Sequence, residues 1–400
     1  MKGEIMKRMI VHCEPGSTEM ALLEDGKLVE YAVERSQHIG LVGSFMKGKV
    51  VNVIPGMQAA FVDIGLKKNA FLYIDDVLHP HLEKQPKPKP SITELLSPGQ
   101  ELVVQVVKEA IGNKGARVTT HYSLPGRWIV YMPTSGYVAV SKKIAPEAEK
   151  QRLRSIGEEL RTEEEGLILR TVAAEEDRKS IEEDLLLLRN QWASILDKAE
   201  RFTAPVVLHH DLSMIQRLMR DAYSPETDEL IMDSRDQAEE ALSFLQGMLP
   251  GESLDIIIHE GKTPVFDHYD VRSQLEKDFQ RKVWLPGGGY LVWDTTEALT
   301  VIDVNTGKFT GGASLEDTVF QTNIEAAEEI ARLIRLRDTG GIIIADFIDM
   351  DTEAHRAAVC ERLEKAMYGD RTQHHILGWT RLGLLEMTRK RMREENTIPG

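Results

Sequence analysis

Cysteine is nearly absent from this 400-residue chain: Cys13 and Cys360 stand alone and far apart. Two thiols at that separation give neither a disulfide framework nor a metal-ligand spacing, and they fit a reducing compartment. Long apolar runs are missing too. No stretch approaches the ~20 residues of a membrane span, and Met1-Lys-Gly-Glu-Ile-Met-Lys-Arg8 carries charges where a secretory signal needs an apolar core. The expectation is a cytoplasmic protein without a membrane span. Positive charge is also short, with 49 lysines and arginines against 64 aspartates and glutamates and a net charge of −15. That balance argues against a uniformly anion-binding surface. What remains is ordinary for folded protein, 42% hydrophobic and 28% charged, at a length suited to two to four domains.

The charge is unevenly spread. Residues 36–125 hold nine lysines and one arginine against seven acids, a +3 island in an acidic chain. Strand patterns fill it. Gly43-Ser-Phe-Met-Lys-Gly48-Lys-Val and Met57-Gln-Ala-Ala-Phe61-Val-Asp-Ile-Gly65 flank a Pro-Gly turn, Asn69-Ala-Phe71-Leu-Tyr-Ile follows, and a later pair spans Glu101–Lys108 and Lys114–Thr120. Five short strands with interleaved lysines and aromatics predict a small oligonucleotide-binding-type barrel. The segment resembles an S1 domain, an RNA-binding barrel. That likeness implies stacking platforms at Phe61 and Phe71, with Lys108, Lys114 and Arg117 along the phosphate path. The alternative for each phenylalanine is barrel core.

Upstream, residues 4–35 read as a β-meander without recognisable chemistry. Downstream, Gly126-Arg-Trp-Ile-Val130-Tyr-Met predicts a strand and Ala145-Pro146 opens a helix to about Leu160. Gly166-Leu-Ile-Leu-Arg170-Thr171 is a strand ending in an arginine and a hydroxyl, followed by a helix to about Arg201. Ile181, Leu185, Leu188, Trp192, Ile195 and Ala199 form its packing stripe. A strand end meeting a helix N-terminus can bind an anion, although Glu175-Glu-Asp177 opposes this. Spacing alone favours a solvated loop arginine at Arg170.

The most informative stretch runs from Leu299 to Met350. Leu299-Thr-Val-Ile-Asp303-Val-Asn305-Thr-Gly307 and Gly341-Ile-Ile-Ile-Ala-Asp346-Phe-Ile-Asp349-Met350 read as buried strands flanking a helix from Ser314 to about Asp338. Ser314-Leu-Glu-Asp317 is a capping-box-like start. Each strand carries a carboxylate in an apolar run, and a buried acid is normally paired or bound to a metal. A strand–helix–strand crossover sets the strands about 4.8 Å apart, so that Asp303 and Asp346 face one point suited to a divalent ion. Asp349, three residues on, falls on the other face of an extended strand and is left out.

The run Val301-Ile-Asp303-Val-Asn305-Thr-Gly307, with Asn323-Ile-Glu-Ala-Ala327, Asp346-Phe-Ile-Asp-Met350 and Arg381-Leu-Gly-Leu-Leu-Glu-Met-Thr-Arg-Lys390, closely resembles the ribonuclease E/G family. With the S1-like segment the resemblance covers nearly the whole chain. It implies an α+β multidomain fold, with an S1-type barrel and a 5′-sensor inserted in a split RNase H-like domain, followed by a DNase I-like catalytic domain. The corresponding boundaries are 1–35 and 216–280 for the split domain, 36–125 for the barrel, 126–215 for the sensor and 281–400 for the catalytic domain.

The activity implied is endonucleolytic cleavage of single-stranded, often A/U-rich RNA to 5′-monophosphate and 3′-hydroxyl ends, in RNA processing and decay. Asp303 and Asp346 match the family's Mg²⁺ ligands and Asn305 its supporting asparagine. Gly126, Val130, Arg170 and Thr171 match its 5′-monophosphate pocket. The resemblance also implies a homo-oligomer, a dimer or a tetramer, but the family's zinc-linking cysteines are absent here. Gln373 stands where a further basic residue is common near the sensor. A non-cleaving RNA-binding protein built on the barrel is the rival reading.

Overall fold

The computed structural model describes residues 6–35, 40–79, 85–110, 114–221, 223, 228–248, 255–307 and 315–390. The chain divides into two compact units, residues 1–37, 224–242 and 253–400 in one, and residues 38–223 and 243–252 in the other. The Ser314 cap lies outside the described residues.

The first unit contains two sheets. In the five-stranded sheet the order is Ile256–Ile258, Asp228–Met232, Lys7–Glu14, Ser17–Glu24, Lys27–Arg35. The meander closes through Asp25 and Gly26, both at positive φ, as a two-residue hairpin turn requires. The Lys7–Glu14 strand then pairs in parallel with Asp228–Met232, from Lys7 against Asp228 to Val11 against Met232.

The second sheet has six strands in the order Lys282–Trp284, Tyr290–Thr295, Leu299–Asn305, Gly341–Asp346, Leu385–Arg389, His374–Trp379. Between its third and fourth strands the chain crosses over through the helix Leu315–Leu336, so these two strands run parallel. One sheet face is apolar. Leu291, Trp293, Ile302, Val304, Ile343, Ala345, Leu385 and Met387 are buried in one core with Ala326, Ile330, Leu333, Val359 and Leu363 of the covering helices. Because side chains alternate across a strand, the intervening residues form the opposite face. That face is only half covered: Asp303, Asp346 and Ile342 are exposed, and Val292, Val301, Asn305 and Ile344 are intermediate. The crossover helix's basic side chains point inward. Arg332 bonds Asp278 at 2.7 Å, Arg335 reaches Glu24 and Glu30, and Arg337 donates to the Asp278 and Gln280 carbonyls.

In the second unit the strands Phe45–Ile54, Ala59–Asp63, Ala70–Tyr73, Arg117–Thr119 and Glu101–Lys108 close into a five-stranded barrel, the last pairing back onto the first. Met46, Val50, Ala60, Val62, Leu72, Val104 and Val118 fill it. Val206–His209 adds to the outside of Phe45–Ile54. A separate four-stranded sheet, Val138–Val140, Gly166–Leu169, Ile129–Met132, Leu124–Pro125, packs with the helices Glu147–Leu160 and Arg178–Arg201. The stripe predicted on the longer helix is internal, with Ile181, Leu185, Leu188 and Ile195 buried and Trp192 and Ala199 packed against them.

Candidate active site and nucleic-acid surfaces

The parallel register places Asp303 directly opposite Asp346 as Cα partners, at the C-terminal ends of adjacent strands. The juxtaposition expected from the crossover is present, but the burial is not. Both carboxylates lie on the half-covered face and are exposed. The sequence misleads because each strand is apolar on both faces, which reads as full burial although only one face meets the helices. Asn305 donates from Nδ2 to Asp303 Oδ2 at 2.8 Å, orienting that carboxylate. Partial burial, then the charges of Asp303 and Asp349, push the Asp346 carboxyl above the ordinary range.

Asp349 therefore belongs to this neighbourhood, contrary to the alternation argument. The strand ends at Asp346 and period-two spacing lapses beyond it. The turn that follows is held by Asn323, a fully buried helix residue. Its Nδ2 donates to the Ile348 carbonyl at 2.8 Å, and the Ile348 amide donates to its Oδ1 at 3.1 Å. A carboxamide on the buried face of the helix was the signal for this residue. Across the sheet the glycine-rich hairpin abuts the end of the Asp303 strand. Gly307 sits at φ 59°, and a Cβ there would meet the Gly288 carbonyl and the Tyr290 ring.

On the barrel, Asn52, Phe61, Phe71, Arg117 and Lys108 form one continuous row across neighbouring strands. Phe61 and Phe71 are half-buried rather than core, with ring centroids 5.9 Å apart. Tyr73 extends the platform, stacked 6.5 Å from Phe71. It stands two residues from Phe71, where strand alternation alone identifies it. Lys108 and Lys114 are exposed, whereas Arg117 is bonded to Asp76 at 2.8 Å.

The Gly126–Thr171 region is built differently. Asp184 is buried and accepts from the amides of Arg127, Trp128 and Ile129 at 3.2, 2.7 and 3.2 Å. A Cβ at Gly126 would collide with that carboxylate, so glycine is required for the close approach. Burial raises the Asp184 carboxyl despite those three donors. Arg170 is not a solvated loop residue. It donates to the Gly126 carbonyl at 2.5 Å and to Asp221 at 2.6 Å, with its side chain 22% exposed. Burial works against the Asp221 carboxylate, yet Arg220 and Arg170 hold its pKa down at about 2. Thr171 shares a hydroxyl hydrogen bond with Ser141 at 2.8 Å, and Val130 is half-buried in its strand. The long helix begins at Arg178, capped by Asp177 on the Ser180 amide, eight residues beyond Arg170. Gln373 and His375 approach each other at 3.1 Å, and Arg371 is paired with Glu30.

Among the described residues, no group of three or more His, Cys, Asp or Glu side chains is gathered closely enough to hold a metal, and no helix is long and apolar enough to cross a membrane. Two register-paired aspartates with a neighbouring carboxamide thus stand in a chain that also folds an oligonucleotide-binding-type barrel, and the class of protein that combines them is a family of ribonucleases.

The chain belongs to the ribonuclease E/G family, whose model matches residues 123–392. It is 42% identical over 393 residues to ribonuclease G of Escherichia coli strain K12, covering 96% of this chain and 80% of that protein. Ribonuclease G of Haemophilus influenzae is 41% identical over the same shares. Ribonuclease E of a Nostoc species is 37% identical over 390 residues, covering 96% of this chain and 56% of the relative.

Proposed function

We propose that this protein is a Mg²⁺-dependent endoribonuclease that cleaves single-stranded RNA at the Asp303–Asn305–Asp346 site and leaves 5′-monophosphate and 3′-hydroxyl ends. Its family is one of endoribonucleases acting in RNA processing and decay. The observation that carries the site assignment is the pairing of Asp303 with Asp346 on the half-covered sheet face.

The donor set fits a hard cation. Both side chains are carboxylates, Asp346 has no protein hydrogen-bond partner among the described residues, and its carboxyl is raised by partial burial and then by neighbouring negative charge, which a cation would offset. With only two acids converging, the ion would keep several waters, as Mg²⁺ does. When bound, such an ion polarises a phosphate and lowers the pKa of a coordinated water. The chain's own residues do the rest. Asn305 fixes the Asp303 carboxylate, and Asn323 fixes the turn after Asp346, so both acids are held in place before substrate arrives.

Phe61, Phe71 and Tyr73 supply stacking faces that tolerate any base, and Lys108, Lys114 and Arg117 supply cations for the backbone. Gly126, Val130, Arg170 and Thr171 form the 5′-monophosphate site in this reading, with Arg170 held for presentation by Gly126 and Asp221. Cytoplasmic residence, a homo-oligomer and an inserted barrel and sensor within a split RNase H-like domain complete the proposal. The five-stranded sheet shared by residues 7–35 and 228–258 supports the last of these.

A fluorescent single-stranded oligonucleotide incubated with the protein in Mg²⁺ or in EDTA tests the reading. Internal fragments that form only with Mg²⁺ are expected. Binding without cleavage, identical in wild type and Asp303→Asn, would establish the non-cleaving RNA-binding alternative, and a ladder of mononucleotides would identify an exonuclease.

A further inference from the structure

On the same sheet face as the paired aspartates, three side chains have no part in the fold's core. Trp284 is 55% exposed on the edge strand, although its neighbours Val283 and Leu285 are buried. Its ring meets that of Tyr290 at 5.3 Å and an interplanar angle of 62°. The Lys282 ammonium lies 4.4 Å from the Trp284 ring centroid and 3.6 Å from that of Tyr290.

The register ties this trio to the site. Trp284 pairs with Tyr290 and Tyr290 with Asn305, while Lys282 pairs with Val292 and Val292 with Asp303. Paired residues share a face, so one row runs Trp284–Tyr290–Asn305 and the next Lys282–Val292–Asp303–Asp346. Lys282 stands two strands from Asp303, about 10 Å at ordinary strand spacing. Its neighbour Arg281 is engaged with Asp294 at 2.6 and 2.7 Å. Lys282 is thus the cation in the aspartates' own row. Gly307 packs close beside the platform, since a Cβ there would lie 3.2 Å from the edge of the Tyr290 ring.

A single exposed aromatic needs no explanation. An aromatic pair with a lysine against both rings, in register with two carboxylates, has the composition that holds a nucleobase beside its phosphate. We infer that Trp284, Tyr290 and Lys282 form a nucleotide subsite for single-stranded RNA. The base adjoining the scissile phosphate stacks on Trp284, and Lys282 meets the flanking phosphate. The inference rests on the function proposed above and adds a second stacking surface to the one on the barrel.

The test walks a single abasic nucleotide along a single-stranded RNA of one strong cleavage site, with the full chain as wild type, Trp284→Ala, Trp284→Phe and Lys282→Met. Wild type should lose about tenfold in kcat/KM when the gap reaches one position beside the cleaved bond, as expected for one lost base stack. Trp284→Ala should lose about tenfold on intact RNA and be indifferent to the gap at that position. Trp284→Phe should keep most of the wild-type response, which separates stacking from damage to the fold. Lys282→Met should weaken binding and flatten its salt dependence.

Equal sensitivity of wild type and Trp284→Ala at every gap position would overturn the subsite. So would unchanged RNA readouts in Trp284→Ala together with a changed mass by light scattering, which would assign the patch to contact between copies of this chain. Wild type that binds RNA without cutting it would remove the proposed function. The same comparison would then be read in binding affinity, where indifference of wild type to every gap overturns the subsite.

Discussion

The carboxylates around Asp303 and those around Arg170 are opposites. Asp184 receives three backbone amides and Asp221 two arginines, so both of these charges are answered from within the fold. Among the described residues Asp303 has only the Asn305 amide, and partial burial together with acidic neighbours raises the Asp346 carboxyl. A satisfied carboxylate secures a backbone turn. One that lacks a protein partner on a solvent-reaching sheet face is left open to a positive group from outside the fold. The difference separates architecture from chemistry more sharply than residue type does, since all four residues are aspartates.

The largest expected effect lies on the unsatisfied side. Asp346→Asn should lower cleavage by about 10³-fold, the scale of the charge stabilisation a divalent ion supplies. The same change should leave the metal-free protein as stable as wild type or raise its melting temperature by a few degrees, because it removes a repelled charge. Calorimetry with and without Mg²⁺ checks this, since the ion should stabilise wild type and not the variant. A large loss of metal-free stability in Asp346→Asn would break the contrast.

On the satisfied side the expectation reverses. Asp184→Ala should cost about 3 kcal/mol in urea unfolding, because it leaves three buried amides without an acceptor. Asp221 should act through pH. Its folded pKa of about 2 lies below the ordinary aspartate value, so its stabilising contribution is complete above about pH 4. That contribution is lost as pH falls from there toward 2, and it amounts to on the order of 2 kcal/mol. Acid-unfolding curves of wild type and Asp221→Asn should therefore diverge at neutral pH and converge near pH 2. The smallest effect is functional: Arg170→Ala should reduce the preference for 5′-monophosphorylated over 5′-hydroxylated RNA by about tenfold, while circular RNA is cut at the wild-type rate. Equal wild-type rates on both ends would exclude a sensor at Arg170.

Much of this arrangement was legible in the sequence because it depends on short-range pattern. The crossover unit, the pairing of Asp303 with Asp346 and the barrel strands follow from strand and helix periodicity. The exposure of the aspartates was not legible, since Leu299–Asn305 and Gly341–Asp346 are apolar on both faces and only the fold decides which face a helix covers. Strand alternation did not reach Asp349, because its strand stops three residues earlier. Asp184 and the Arg170–Asp221 pair were invisible for another reason: those partners lie some fifty residues apart, and no local rule connects them.

The parallel pairing of Lys7–Val11 with Asp228–Met232 has a consequence in time. During synthesis the meander emerges before its partner strand and waits, its first strand lacking one neighbour, until nearly two hundred further residues have left the ribosome. Meanwhile every strand of the barrel and of the four-stranded sheet, from Phe45 to His209, is already available to pair. The second unit can therefore form while the first is still open along one edge, and an unpaired edge is where chains associate wrongly. The charged ends of that strand, Lys7 and Arg8 at its start and Glu14 at its finish, protect the edge during the interval before Asp228–Met232 closes it.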